Sequence, residues 1–435
     1  MFQIGWNYVY GLLHTKHVKY IVHEEKRVMK TQILCITAIS LVFAIVLPLT
    51  LIIDDINEDT VYAATETDSP VTIAVNVFKD RVFTANEDSN TVTVIDPETN
   101  TVEATIDLTG FDPRMPFDPS KPLSSMHHRP LYNGAIDVHG MDASPDGKLI
   151  AVTARGSGNV YLIDAVNLEK VGNPQGIMVG REPHVPMFTH DGKKLWVTVR
   201  GSNYIAVIDV NFALKHDRDR FQWRVPTLDG PSMVEFSHDG KLAFVGSQKE
   251  SKLQVLNVAK RSSIAIIDFA EQDPLRFSPF VKLSPDGNEV WVTHKLSDGV
   301  GVISAKEPFD YIKRIQLPTG SKPNHIEFVG NYVYVSLAQV NATAQTSSIA
   351  IIDREAKTLV GTFESQGKEA HGIWANPEGT RLYIGHEQSS DVTVFDTTDP
   401  ASPKFVAKIH LGSLKMQNGE LPNTKPIDVV YSRIT

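Results

Sequence analysis

Cysteine is almost missing from this chain of 435 residues: the single one, Cys35, sits in an N-terminal apolar segment. The rest of the chain therefore carries no disulfide framework, no thiolate metal site and no Cys-x-x-Cys-His haem attachment. Positive charge is also scarce, with 42 Lys and Arg against 51 Asp and Glu and a net charge of −9. No Lys/Arg cluster reverses that balance, which excludes a non-specific nucleic-acid binder needing a basic stripe. Helical periodicity between the strand-like runs is absent, and this rules out a parallel βα array. No serine lies in a nucleophile-elbow context.

Only one long uncharged run exists, the 21 residues Ile33–Ile53. It is long enough to span a bilayer as a hydrophobic helix. Lys26, Arg27 and Lys30 precede it and Asp54, Asp55, Glu58 and Asp59 follow it, which sets the N-terminus in the cytoplasm and the remainder outside. Val61-Tyr62-Ala63 has the small residues of a signal cleavage site, so a cleaved signal and a retained anchor both stay open. Met29-Lys30-Thr31 is a conventional start for an export signal, and residues 1–28 then read as an extension. Either way the bulk of the protein is expected to be extracytoplasmic, secreted or at the cell surface, touching a membrane only through its N-terminal segment. Asn341-Ala342-Thr343, a glycosylation acceptor pattern, is compatible with that.

What fills the remainder is a repeat. VHGMDASPDGKLIAVTARGSGNVYLID, from Val138 to Asp164, is followed at once by EPHVPMFTHDGKKLWVTVRGSNYIAVID, from Glu182 to Asp209. Each unit has two apolar-alternating strands joined by a short turn, for which Asp-Gly is a strong signal. The turn glycines fall at Gly147, Gly192, Gly240, Gly287, Gly330 and Gly379, in steps of 43 to 49 residues. A first unit, Val71 to Asp96 with a tight Lys79-Asp80 turn, makes seven. Further β-rich runs follow, at Thr101–Leu108, Gln222–Leu228, Ser263–Phe269, Tyr311–Leu317, Thr358–Phe363 and Lys404–Leu411.

Four short strands per repeat of this length predict an all-β, seven-bladed β-propeller of four-stranded antiparallel blades, preceded by an N-terminal hydrophobic helix. The expected division is 1–64 for extension and signal or anchor and 65–435 for the propeller. The stretch Lys425–Ser432 is expected to close the ring by pairing into the first blade. Lys215–Arg220, KHDRDR, reads as a solvated turn, and Trp196, Trp291 and Trp374 as core.

The units SPDGKLIAVTARGSGNVYLID, SPDGNEVWVTHKLSDGVGVIS and NPEGTRLYIGHEQSSDVTVFD resemble the YVTN-type propeller repeat, a Ser-Pro-Asp-Gly turn, an apolar strand ending in Asn and a Val-Ile-Asp strand. The resemblance covers roughly Val71 to Ser432 and implies the fold rather than a function, because surface proteins, binding modules and the haem-d1 domain of nitrite reductases share it. At the strand end only Asn86 keeps the Asn. Elsewhere that position reads as Arg155, Arg200, Ser247, His294, Leu337 and His386.

In an outward-running blade, the start of the first strand and the end of the second share one face. Seven residues back from the turn acid stand His139, His184, Ser232, Pro279 and His371, and His325 is read into the matching place of the sixth unit. His139, His184, His325 and His371 are thus candidate metal ligands in one arc. Arg155, Arg200, His294 and His386 are candidate ligand-binding residues further out. Insertions at Thr109–Gly134, with His127-His128, at Ala338–Ser347 and at Gly412–Thr424 collect on the same face, where loops carry function.

Neutral imidazoles suit copper, zinc or iron, and guanidinium groups hold carboxylate or phosphate. The alternative for each histidine is packing between blades. The expected function is an extracytoplasmic module that binds a small anionic ligand, or another extracytoplasmic protein, through this mouth, with copper or zinc as a further expectation. The other reading is a metal- or haem-d1-dependent oxidoreductase or tetrapyrrole-handling protein. The haem-d1 resemblance would make His184 or His139 the axial ligand with Arg155 and Arg200 near the haem carboxylates, although the c-type haem domain that usually accompanies that family is missing. A lactonase-like hydrolase fits less well, since such sites lean on Glu, Asp and Asn.

Overall fold

The computed structural model describes residues 60–63, 71–74, 79–108, 136–215, 221–412 and 424–434. The chain divides into two compact units, Met1–Phe78 and Lys79–Thr435. In the first, Thr60–Ala63 pairs antiparallel with Val71–Ala74. The Ile33–Ile53 helix, the cleavage-site context and His127-His128 lie outside the described residues. Among the described residues no helix is long and apolar enough to cross a membrane.

The second unit is a seven-bladed propeller of antiparallel sheets. Blades 2 to 7 start their inner strands at Val138, Pro183, Pro231, Val281, Pro323 and Ala370. In blade 2 the outer position is shared by two short strands, Glu169–Val171 and Ile177–Met178, both on Asn159–Asp164. The inner strands of successive blades touch in an unbroken circuit that returns from blade 7 to blade 1. The apolar cores lie between neighbouring blades, and Trp196 and Trp291 are buried in them. A six-residue helix, Val210–Lys215, follows the third strand of blade 3, before its outer strand Trp223–Pro226.

The turn chemistry behind the repeat is visible atom by atom. Ser144 Oγ donates to Asp146 Oδ1, the Lys148 N–H donates to the same oxygen, and the Leu149 N–H donates to Ser144 Oγ. Gly147 between them has φ +69°, a conformation that favours glycine. The same net recurs at Ser237, Asp239 and Leu242.

Blade 1 departs from the expected order. Its inner strand is Pro426–Ser432, laid antiparallel on Arg81–Asn86, so a C-terminal strand closes the ring. Val71–Ala74 pairs with Thr60–Ala63, and both strands belong to the unit that ends at Phe78.

Candidate functional site

The inner strands of blades 2, 3, 4, 6 and 7 share an irregularity at their start. Val138 pairs with Ala154 and Met141 with Val152, so His139 and Gly140 together oppose Thr153 alone. The same two-against-one bulge holds His184 and Val185 opposite Thr198, and His371 and Gly372 opposite Gly385. A bulge re-aims side chains and breaks the ladder locally. In blade 2 the broken ladder is repaired by a hydroxyl: Thr153 Oγ1 accepts from the Gly140 N–H at 2.9 Å and donates to the His184 carbonyl of the next blade at 2.7 Å. Thr198 does the same for Val185 and the Ser232 carbonyl, at 3.0 Å each. Gly140 is required here, because a Cβ would collide with the His184 carbonyl oxygen.

A second recurring bond fixes the outer rim. The N–H of the residue after each second strand donates to the carbonyl of the residue just before the inner strand. The pairs are Glu87 to Lys425, Arg155 to Asp137, Arg200 to Glu182, Gln248 to Gly230, Ala338 to Lys322 and Glu387 to Glu369. In blade 5, Lys295 bonds the Phe277 carbonyl. These are the true equivalents around the ring, and all but Ala338 line a cavity of about 190 Å³ at the channel mouth.

This register corrects two expectations. His294 and His386 end their strands one residue before the rim, and because strand side chains alternate, they turn into the blade. His294 is fully buried between Ser278 Oγ at 3.0 Å and Tyr311 Oη at 3.1 Å, and His386 is fully buried 2.9 Å from Asp391. Their neighbours Lys295 and Glu387 reach the mouth instead. In blade 6 it is Asn324 that matches His139, and His325 takes the second bulge position, next to Asp428 at 3.7 Å.

The four mouth histidines stand as two couples. His139 and His184 have ring centroids 4.4 Å apart, and His325 and His371 are 4.7 Å apart. Among the described residues no group of three or more His, Cys, Asp or Glu is arranged to hold a metal ion. The His184 Nδ1–H donates to the Ser232 carbonyl at 2.6 Å, which leaves Nε2 to accept from the Gln248 amide at 3.1 Å. Gln248 Oε1 in turn accepts from Arg200 at 2.9 Å. The His371 Nδ1–H donates to the Ile427 carbonyl at 2.7 Å, and its Nε2 lies 3.5 Å from Glu387. Packing between blades, one reading of these histidines, is thus what Nδ1 does in His184 and His371, whereas in His139 and His325 it faces the Glu87 and Asp428 carboxylates. Burial first, and neighbouring cations or imidazoles second, hold all four neutral, with His325 pushed down to about 3.

Charges at the mouth are mostly matched. Arg155 is bonded to Glu87 and, at 2.9 Å, to Asp137. Arg200 lies 3.5 Å from Glu182, and Lys425 lies 2.9 Å from Glu87. His139 Nδ1 is 3.3 Å from the other Glu87 oxygen. In blade 7 both positions are acidic, and Glu387 is pushed up to about 7 by burial and then by Glu369. Glu87, Gln248, Lys295, Asn324 and Glu387 were not singled out in the sequence. The signal for four of them is simple: Gln248, Lys295 and Glu387 stand eight residues after their turn glycines, as Arg155 and Arg200 do, and Glu87 stands eight after Lys79.

Deeper in the channel a further ring carries Asp142, Glu235, Lys282 and Glu327, with Asp428 above it. Lys282 and Glu327 pair at 2.6 Å. The Asp142 carboxyl accepts from the Phe188 N–H at 2.7 Å. Burial raises Asp142 to about 8 and Glu235 and Asp428 to about 7.

No protein-family model matches the sequence. Among solved structures, the chain is similar to hydrazine synthase of Kuenenia stuttgartiensis, with a TM-score of 0.53 and 19% identity over 68% of this chain and 94% of that one. It is similar to the dihydro-haem d1 dehydrogenase NirN, with a TM-score of 0.52 and 14% identity over 87% of this chain and 80% of that one. A protein from Lactobacillus plantarum matches with a TM-score of 0.59 and 11% identity over 81% of this chain and 99% of that one. At such identities the likeness is one of fold, the propeller that the repeats led us to expect.

Proposed function

We propose that this chain is an extracytoplasmic ligand-binding propeller that holds a small anionic ligand in the mouth of its channel. The observation carrying this reading is the cavity, where four cationic side chains, Arg155, Arg200, Lys295 and Lys425, face two carboxylates, Glu87 and Glu387. On the lining itself cations outnumber carboxylates four to two, because Asp137 and Glu182, which balance the arginines, stand behind them, and a lining of that kind favours an anion. The arginines, held by Glu87, Asp137 and Glu182, form a rigid frame for such a ligand. Export is supported by the Ile33–Ile53 run and its flanking charges.

Haem d1 fits this site poorly. Pockets for drug-sized ligands span roughly 300–1,000 Å³, and a tetrapyrrole needs more room than the ≈190 Å³ here. Axial ligation by His184 would also displace the Gln248 amide from its Nε2. A bound copper or zinc ion would have to draw its ligands from two separate imidazole couples.

The test is a thermal-shift and calorimetric screen of the purified protein against small carboxylates, phosphate and sulfate. At least one is expected to bind, and Gln248→Trp, which fills the mouth, is expected to abolish it. A ligand that binds the Trp variant equally well sits elsewhere and refutes the site.

A further inference from the structure

Lys295 differs from every other cation at the mouth. It is half-buried and lines the cavity, and among the described residues its ammonium makes no hydrogen bond and no ion pair, the Glu387 and Glu369 carboxylates acting on it only through space. The rim pattern explains why. Arg155 faces Asp137, Arg200 faces Glu182 and Glu87 faces Lys425 across the recurring backbone bond, but the partner of Lys295 is Phe277. The lysine is held in place from below by its own N–H on the Phe277 carbonyl, at the head of a short 3₁₀ turn, Lys295–Ser297.

One blade on, Asn324 offers the complementary orphan. It is 1% exposed and lines the same cavity. Its Nδ2 donates to the Ala370 carbonyl at 2.9 Å, which fixes the orientation of the amide. The Oδ1 that remains is buried without a partner. A buried acceptor left without a donor loses the hydrogen bond it had to water, so native proteins seldom keep one without use. The strand carrying Asn324 touches the 3₁₀ turn carrying Lys295, so the two unspent groups belong to one corner. Phe277, Pro279 and Phe280 supply its apolar wall.

We infer that Lys295 and Asn324 form the anchor of the mouth site and select a small hydroxycarboxylate. The carboxylate sits on the Lys295 ammonium, and the hydroxyl donates to Asn324 Oδ1. Volume agrees with this class: the cavity of about 190 Å³ is smaller than the roughly 300–1,000 Å³ of pockets for drug-sized ligands, as suits a small acid. A bare carboxylate such as acetate would satisfy the lysine and leave Asn324 Oδ1 orphaned, and phosphate would have nothing apolar for the phenylalanine wall. This inference rests on the mouth being a ligand site and adds the residues and the class.

The experiment is calorimetry of the full chain with glycolate, L-lactate, acetate and glycine, on wild type, Lys295→Met, Lys295→Arg and Lys249→Met. Lys249 is an exposed lysine paired with Asp229, outside the cavity, and controls for net charge. Glycolate or lactate is expected to bind at least fivefold more tightly than acetate. Lys295→Met should weaken that binding tenfold or more, Lys295→Arg should restore most of it, and Lys249→Met should leave it unchanged. Unchanged melting temperatures exclude misfolding as the cause. Binding of these probes that survives Lys295→Met overturns the anchor while leaving the mouth as a ligand site. Glycine or acetate preferred over glycolate overturns the ligand class. If none of the acids binds but phosphate or sulfate fills the mouth, the inference fails and the broader reading stands. If nothing binds there, both fail.

Discussion

Replacing Thr153 by valine is the sharpest probe of how the histidines are positioned. The side chain is fully buried, and its hydroxyl joins the Gly140 N–H of its own blade to the His184 carbonyl of the next. Valine keeps the branched shape and removes both bonds at once. The Gly140 N–H then has no partner, because the bulge has taken it out of the strand ladder. A buried group so orphaned costs about 1–3 kcal/mol, and the carbonyl adds a smaller amount, so a loss of about 2–4 kcal/mol is expected. Serine should recover most of it, since blade 6 uses Ser336 in the same role, with its Oγ 3.0 Å from the His325 N–H. The assay is denaturant unfolding followed by tryptophan fluorescence, with equal slopes for the variants as the check that the same surface is exposed. A Thr153→Val protein within 0.5 kcal/mol of wild type, or a serine variant no better than valine, would refute the view that this hydroxyl bridges the blade seam.

Stability should fall as pH rises from about 6.5 to 8. Burial raises Asp142 to about 8 and Asp428 and Glu235 to about 7. These acids titrate near 4 when unfolded, so from there to pH 8 the folded state holds protons that the unfolded state has released. Below about pH 6.5 the neutral histidines oppose this, because unfolding lets them take up protons. The melting temperature at pH 8 should therefore lie below that at pH 6.5, and Asp142→Asn should flatten the decline. Anion binding should be accompanied by proton uptake on Glu387, already pushed to about 7, and so tighten as pH falls from 8 to 6. Calorimetry in buffers of different ionisation enthalpy reads the proton directly, and a buffer-independent heat would exclude Glu387. Gly140→Ala should fail to fold or lose several kcal/mol by circular dichroism, since its Cβ meets the backbone of the next blade. A phosphatase fused after Asp59 should be active only outside the cytoplasm, and an inactive fusion would remove the support for export.

The fold was readable because its punctuation is local. Each Ser-x-Asp-Gly turn is built from hydrogen bonds within six residues, so the turn residues recur wherever the hairpin does. The inner-strand histidines were readable at a fixed offset from the turn acid for the same reason. The rim was misread because the strand end was aligned on Asn86, His294 and His386 in some units and on Arg155 and Arg200 in others. Strand side chains alternate between faces, so that slip of one residue exchanged mouth for interior. Asn324 was hidden because blade 6 reaches its turn at Gly330 in fewer residues, and His325 drew attention to the wrong place. The pairing of Glu87 with Arg155 and Lys425 joins residues 68 and 338 apart, which no local pattern encodes.

The strand that completes blade 1 is the last part of the propeller to be synthesised, and its partner is among the first. Glu87 and Lys425, at the junction, are 338 residues apart. At roughly 5–20 residues per second, Arg81–Asn86 waits about 17 to 70 seconds with one edge unpaired. That edge reads RVFTAN, apolar enough to recruit another chain in the same state. The risk of misassembly is therefore concentrated in nascent molecules and scales with translation time rather than with the stability of the finished ring. A reordered gene that begins at Pro426 and continues into Lys79 would make blade 1 a local unit and abolish the wait.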